Sequence, residues 1–176
     1  MPPLKTPICD FGLKAKDFHL NSTSNKITTL NDIRGDNGTL IMFICNHCPY
    51  VKAVIKDIVE DCESLKKYGI KAVAISSNDA VNHPEDSFDN MVKFSKNHKF
   101  NFPYLYDQTQ ETAKIYDAVC TPDFFGFNKN LELEYRGRIR ELKDLKPINN
   151  GESDLYKAMK KISETDKGPK EQVPSM

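Results

Sequence analysis

The segment Cys45-Asn46-His47-Cys48-Pro49 is where residue types and spacing together suggest covalent chemistry. Two cysteines separated by two residues can sit one helical turn apart, so one can attack an external disulfide and the other resolve the mixed disulfide. The pair follows an apolar run of strand length, Thr-Leu-Ile-Met-Phe-Ile at 39–44, and precedes a helical pattern. A thiol at such a helix start meets free N–H groups and the positive end of the helix dipole, which can lower its pKa from about 8.5 to about 3.5–7.5. On this reading Cys45 is the attacking thiol and Cys48 its resolving partner. A protonated His47 beside them would stabilise the Cys45 thiolate and make the couple more oxidising. Pro49 is tolerable because it falls in the first helical turn.

Other uses of the pair fit less well. Structural zinc needs four ligands, and Cys9, Cys62 and Cys120 form no second close pair. Covalent haem attachment needs His directly after the second cysteine, where Pro49 stands. No metal or organic cofactor is expected. Cys62 falls on the apolar face of the helix and reads as core. Cys120 is a candidate third thiol, with a packed small hydrophobe as the blander reading. Thr121-Pro122 opens a strand-like segment, where proline can be accommodated. A cis bond there would turn the backbone toward the thiols and leave peptide groups free for an extended substrate, although trans is the commoner state. Tyr50, next to the pair, is a candidate wall of the substrate groove.

Composition narrows the partners. The sequence has 176 residues, 25 Lys and Arg against 25 Asp and Glu, and five cysteines. That length suits one well-cored domain. A balanced charge argues against nucleic acid or an anionic membrane as partner. The basic residues Arg136, Arg138, Arg140 and Lys143 read as a solvated strand end and loop. Five cysteines with one close pair is not the pattern of a secreted disulfide scaffold. The amino terminus has no apolar run resembling a signal segment, and no stretch reaches the roughly 20 apolar residues of a membrane span. A cytoplasmic protein is expected.

The positioning elements follow from periodicity. Segments 17–20 and 26–30 around a turn-rich 21–25 read as a β-hairpin. Val51, Val54, Ile55, Ile58, Val59, Cys62 and Leu65 share one helical face, and Gly69 suits the helix end. The run 70–75 is a second buried strand, so 39–75 forms a parallel strand–helix–strand unit. Pro84 is expected to open a helix with Glu85 and Asp86 in its first turn, where the dipole favours them. Residues 104–106 read as a short strand and 110–117 as a short helix. Segments 124–127 and 131–136 read as an antiparallel hairpin, and Leu155, Ala158, Met159 and Ile162 line a last helix. Residues 1–163 would form one domain, and the polar segment 164–176 is expected to be disordered.

These residues resemble the thioredoxin superfamily, most closely its peroxiredoxin-like branch, related to AhpC/TSA proteins, that carries a Cys-X-X-Cys pair. The resemblance rests chiefly on Cys-Asn-His-Cys-Pro-Tyr at 45–50 and Cys-Thr-Pro-Asp-Phe-Phe at 120–125. Asp-Phe-His-Leu at 17–20, Ile-Ser-Ser-Asn-Asp at 75–79, Leu-Tyr-Asp at 105–107 and Tyr-Arg-Gly-Arg at 135–138 add to it. It implies an α/β thioredoxin-like fold: a central mixed sheet flanked by helices, with an N-terminal β-hairpin extension and a helical insertion. It also implies a cis Pro122, Cys45 as nucleophile, and a His47 like that within the pair of protein disulfide isomerases. Peroxiredoxins resemble one another in a Pro-x-x-x-Thr-x-x-Cys motif. Its cysteine falls at Cys48, but Ile41 and Cys45 stand where it has Pro and Thr. Thioredoxins carry a Trp before the pair and a buried Asp on the preceding strand, where this sequence has Ile44 and Thr39. Similar sequences continue from a Pro-Ser-hydrophobic segment into Gly-Cys-x-Ile-Lys-Trp. This one stops at Pro174-Ser175-Met176, so the expectation is a lost or truncated tail.

The function expected is a thiol–disulfide oxidoreductase acting on protein or small-molecule disulfides, with an unidentified thiol reductant or oxidant as second partner. The alternatives are a thiol-dependent peroxidase and a non-enzymatic redox or metal sensor.

Overall fold

The structure, a computed structural model, describes residues 4–176. The first three residues of the amino-terminal stretch read above for a signal segment lie outside the described residues. Strands β1 (His19–Ser22) and β2 (Ile27–Thr29) form the expected hairpin, with His19 opposite Thr29. Its register lies further along than the alternation suggested, because Thr29 leaves the strand to cap a short helix, α1 (Leu30–Ile33). The Thr29 side chain accepts from the Asp32 N–H and the Asp32 carboxylate accepts from the Thr29 N–H, a reciprocal cap.

Strand β3 (Gly38–Phe43) leads through the thiol loop into α2 (Pro49–Leu65), and β4 (Ile70–Ser76) returns parallel to β3. Gly69 makes the turn between them at φ 76°, a conformation that a side chain disfavours. A helical insertion, made of a turn at Pro84–Asp86 and α3 (Phe88–Asn97), follows, and then β5 (Tyr104–Tyr106) and α4 (Glu111–Tyr116). Then follow β6 (Asp123–Phe127), β7 (Leu133–Tyr135), a small hairpin β8 (Leu142–Lys143) and β9 (Lys146–Pro147), and α5 (Asp154–Thr165). Seven strands form one mixed sheet in the order β2-β1-β5-β4-β3-β6-β7. The hairpin is an extension of this sheet, because β1 pairs antiparallel with β5.

Central β3 is buried along its whole length, and its alternation feeds two cores. Leu40 and Met42 pack with Val54, Ile58, Met159 and Ile162 from α2 and α5. Ile41 and Phe43 pack on the other face with Val73, Tyr116, Phe125 and Phe127. Each such side chain stabilises the fold by about 1.5–3 kcal/mol through burial. The carboxyl end of β3 is thereby fixed, and the thiols lie just beyond it. The layered α/β arrangement is a thioredoxin-like fold, as the resemblance implied.

Three expectations need correction. The helix expected from Pro84 is divided: a 3-10 turn at Pro84–Asp86 comes first, and Ser87 then caps α3 by accepting from the Asn90 N–H. Asp86 is therefore not a surface carboxylate of a first helical turn but fully buried. The basic run is not simply solvated either. Arg136 is buried against Asp123 with contacts of 2.9 and 3.3 Å, while Arg138 and Arg140 pair with Asp154 and Asp57. Nor is the carboxyl-terminal segment free. Gln172 accepts from the Arg136 N–H and donates to the Glu134 carbonyl, and the Arg138 N–H donates to the Val173 carbonyl. Its polar composition reflects a backbone that satisfies the groups left open beyond β7 rather than a core of its own.

Candidate active site

The loop between β3 and α2 brings together the sequence-selected residues Cys45, His47, Cys48 and Thr121. Cys45 is buried, 1 % exposed, whereas Cys48 is only partly covered. Cys48 is the N-cap of α2, with Pro49 at the first helical position. Its sulfur lies 3.3 Å from the Thr121 carbonyl, and the Cys45 thiol and the backbone N–H groups of Tyr50 and Val51 are its other polar neighbours. The Cys45 thiol is the strongest influence and, with the Thr121 side chain and the two N–H groups, brings Cys48 down to about 5 against the opposing effect of burial. Cys45 moves the opposite way. The adjacent Cys48 sulfur and burial both hold its proton, and the nearby Asp86 carboxylate also opposes a thiolate there. Thr121 Oγ1 lies 3.5 Å from Cys45 Sγ. The helix start thus acts on the second cysteine, because Asn46 and His47 lie outside α2 and Cys48 is the residue at its end.

Sequence reading missed Asp86 and the groups around it. Its Oδ1 accepts from the N–H of Asn46 at 2.7 Å and of His47 at 3.2 Å. Its Oδ2 accepts from Asn78 Nδ2 at 2.9 Å and from His47 Nδ1. Asn46 donates to the Glu85 carbonyl and accepts from the buried Tyr104 hydroxyl at 2.8 Å. Four donors around one carboxylate and a clamped Asn46 hold the thiol loop from the insertion. The ring of His47 stacks on His83, with centroids 4.6 Å apart and planes 9° from parallel. No local pattern could have shown this, since 40 residues separate Asn46 from Asp86.

Cys45 Sγ, a ring nitrogen of His47 and a carboxylate oxygen of Asp86 lie within 4.8 Å of one another, a spacing compatible with cation ligation. Both oxygens of Asp86 already accept two donors each, so the cluster is hydrogen-bonded rather than open to a cation.

Thr121-Pro122 is cis, as the resemblance implied. Its peptide groups are less available than expected: the Thr121 carbonyl lies 3.3 Å from the Cys48 sulfur, and the Pro122 carbonyl accepts from Ser175 Oγ at 2.6 Å. Ser175 is locked in turn by exchanging bonds with Thr6. Cys120 sits beside this turn, its thiol 3.7 Å from the Pro122 carbonyl and pushed up to about 12, mainly by burial. Cys62 is buried in the core, as expected. Two clefts flank the turn. One of about 520 Å³ is lined by Tyr50, Val54, Pro122, Leu142 and Met176; another of about 510 Å³ is lined by Asn78, Cys120 and Thr121. A third hollow opens at the amino-terminal ends of β3 and β4, away from the thiols.

Residues 11–141 match the AhpC/TSA family. The chain belongs to that family. A solved structure of an uncharacterized conserved protein from Geobacillus kaustophilus is similar at 39% identity, covering 99% of this chain and 93% of that one, with a TM-score of 0.94. A hypothetical protein from Sinorhizobium meliloti 1021 is similar at 30% identity, 98% and 94% coverage and TM-score 0.89. Peroxidoxin BcpB from Mycobacterium tuberculosis shares the fold at 14% identity, 70% and 81% coverage and TM-score 0.58. No protein of curated function matches the chain. Membership of the AhpC/TSA family supports thiol redox chemistry in general. No helix among the described residues is long and apolar enough to cross a membrane.

Proposed function

We propose that this AhpC/TSA-family protein is a thiol–disulfide oxidoreductase in which Cys48 attacks and Cys45 resolves. The observation that carries the reading is Cys48 at the N-cap of α2 and partly open, with Cys45 buried at 1 % exposure. A sulfur in that setting is ionised at neutral pH and reachable, while Cys45 keeps a proton and waits directly behind it. Cys48 thiolate attacks one sulfur of a substrate disulfide and expels the other as a thiolate. Cys45 then attacks the Cys48 sulfur, releasing the second substrate thiol and leaving Cys45 and Cys48 joined. Run backward with an oxidised pair, the same steps insert a disulfide into a dithiol substrate. Tyr50 and the cleft beside Pro122 offer a wall for the substrate.

Trapping tests the order of attack. Cys45→Ser, incubated with a peptide disulfide, should accumulate a mixed disulfide on Cys48, and Cys48→Ser should lose insulin reduction. Accumulation on Cys45 in Cys48→Ser at the wild-type rate would refute it.

The family itself favours a second reading, a thiol peroxidase, since Cys48 holds the position of the cysteine in the peroxiredoxin motif. Ile41 and Cys45, in place of that motif's Pro and Thr, weigh against it. Peroxide consumption with a sulfenate on Cys48 would decide for the peroxidase.

A further inference from the structure

We propose that His47, held in place by the buried Asp86, is the base that takes the proton of Cys45 when Cys45 resolves the mixed disulfide. This rests on the assignment of Cys48 as the attacking thiol. In the resting pair the neighbouring Cys48 sulfur favours keeping the proton on Cys45. Once Cys48 is joined to the substrate, that charged neighbour is gone, and Cys45 must lose its proton at a site 1 % exposed. A buried thiolate beside the Asp86 carboxylate is disfavoured twice, by desolvation and by like charge. Moving the proton to the neighbouring imidazole offsets both, because an imidazolium then stands beside the two anions.

The geometry suits this transfer. Cys45 Sγ, a ring nitrogen of His47 and an Asp86 oxygen lie within 4.8 Å of one another, which places the imidazole beside the thiol. Asp86 is surrounded by donors alone: the N–H groups of Asn46 and His47, the Asn78 amide and His47 Nδ1. Nδ1 must therefore carry a hydrogen, which leaves Nε2 as the nitrogen with a lone pair. The two backbone bonds and the Asn78 amide also fix the carboxylate, so it acts as a positioning residue that orients the ring. The groups facing His47 are Cys45 and Cys48 on its own loop, and His83 and Asp86 from the insertion. The ionisable Tyr104 of β5 reaches the loop through Asn46. His83 covers one face of the ring and leaves its edge open.

The step balances. The Cys45 S–H bond breaks with its proton going to Nε2, and the sulfur forms a bond to Cys48 Sγ. The bond between Cys48 and the substrate breaks, and the departing substrate thiolate takes the proton. The protein's two sulfurs are oxidised by two electrons while the substrate disulfide is reduced to two thiols. The other substrate thiol takes its proton from solvent.

A stoichiometric aromatic disulfide, 5,5′-dithiobis(2-nitrobenzoate), releases one coloured thiolate at each half of the reaction, so stopped-flow absorbance on the full chain separates attack from resolution. His47→Gln and Asp86→Asn should each lower the ratio of second-step to first-step rate at pH 7 by about tenfold or more, the lower range of general-base effects. That deficit should close toward about pH 9 as hydroxide replaces the lost base. A deficit under twofold at pH 7, or one constant across pH, overturns the inference. Should Asp86→Asn fail to fold, the half-exposed His47→Gln carries the same test. Absence of the first release, or a first adduct mapped to Cys45, overturns the assignment of the attacking thiol and this step with it. A normal adduct on Cys48 followed by a resolution insensitive to His47 overturns this step alone.

Discussion

Cys48 should be distinguished by its pH profile rather than by its speed at neutral pH. With its pKa brought down to about 5, chiefly by the Cys45 bond, Cys48 is ~99 % thiolate at pH 7, against ~3 % for a free thiol near 8.5. That is a gain of about 30-fold in the reactive form. Intrinsic nucleophilicity falls with pKa at a Brønsted slope of about 0.4–0.5, which over 3.5 units removes about 25- to 55-fold. The two effects cancel near pH 7. At pH 5.5 they do not. Cys48 is then ~75 % ionised and a free thiol ~0.1 %, so Cys48 should alkylate about 10–30 times faster than glutathione. The assay is iodoacetamide labelling of the reduced chain from about pH 4 to 9, with the adduct mapped by mass spectrometry. Cys45→Ala, which deletes the donor with the largest effect, should move the midpoint up by about a unit or more. A Cys48 midpoint above about 8, or one unmoved in Cys45→Ala, would refute the reasoning.

Other consequences follow from the same contacts. Because the reduced pair keeps one proton above about pH 5, the reduction potential should fall by about 30 mV per pH unit in the neutral range, steepening to about 59 below pH 5. A slope near 59 throughout would show two protonated thiols. The depressed Cys48 value makes the thiolate's contribution to folding fully present above about 8.5 and lost as pH falls through about 5. Chemical denaturation of the reduced chain should therefore show this part of its stability declining across that window. Arg136→Ala leaves the fully buried Asp123 without its two-point partner and removes a guanidinium 4.3 Å over the Phe125 ring. Urea unfolding should register a loss of about 3–5 kcal/mol, and a loss under about 1 would mean the pair is not buried as described. Burial pushes Asp61 up to about 6 against the bond from the Ser153 hydroxyl, so ionising it costs stability as pH rises from about 4 to 6. Asp61→Asn should stabilise at pH 7 by up to about 3 kcal/mol and by little at pH 4, and equal effects at both would count against it.

The sequence carried the frame of this protein because the frame is made of local regularities. An unbroken apolar run is a strand covered on both faces; a three-and-four spacing is a one-sided helix; a glycine after it is a left-handed stop. Residues 39–75 show all three, and the strand–helix–strand unit with the thiols at its turn was legible from them. Cys45, His47, Cys48 and the Thr121-Pro122 turn could also be named, since their spacing and residue types are themselves the signal. Tertiary structure decided what surrounds each of them. Which sulfur faces the free N–H groups depends on where α2 begins, and Pro49 sets that start one residue after Cys48. Asp86 was visible only as an acidic residue near a helix start. Its burial comes from a 3-10 turn that lets a distant insertion fold over the thiol loop, where four donors converge on it. The carboxyl-terminal segment looked disordered because composition registers the lack of a core. It does not register open backbone groups on a sheet edge elsewhere in the chain. The sequence determined that a close pair of cysteines would stand at a strand end. Only long-range burial and hydrogen bonding decided that the second of them, Cys48, meets the helix, while the first keeps its proton beside His47 and Asp86.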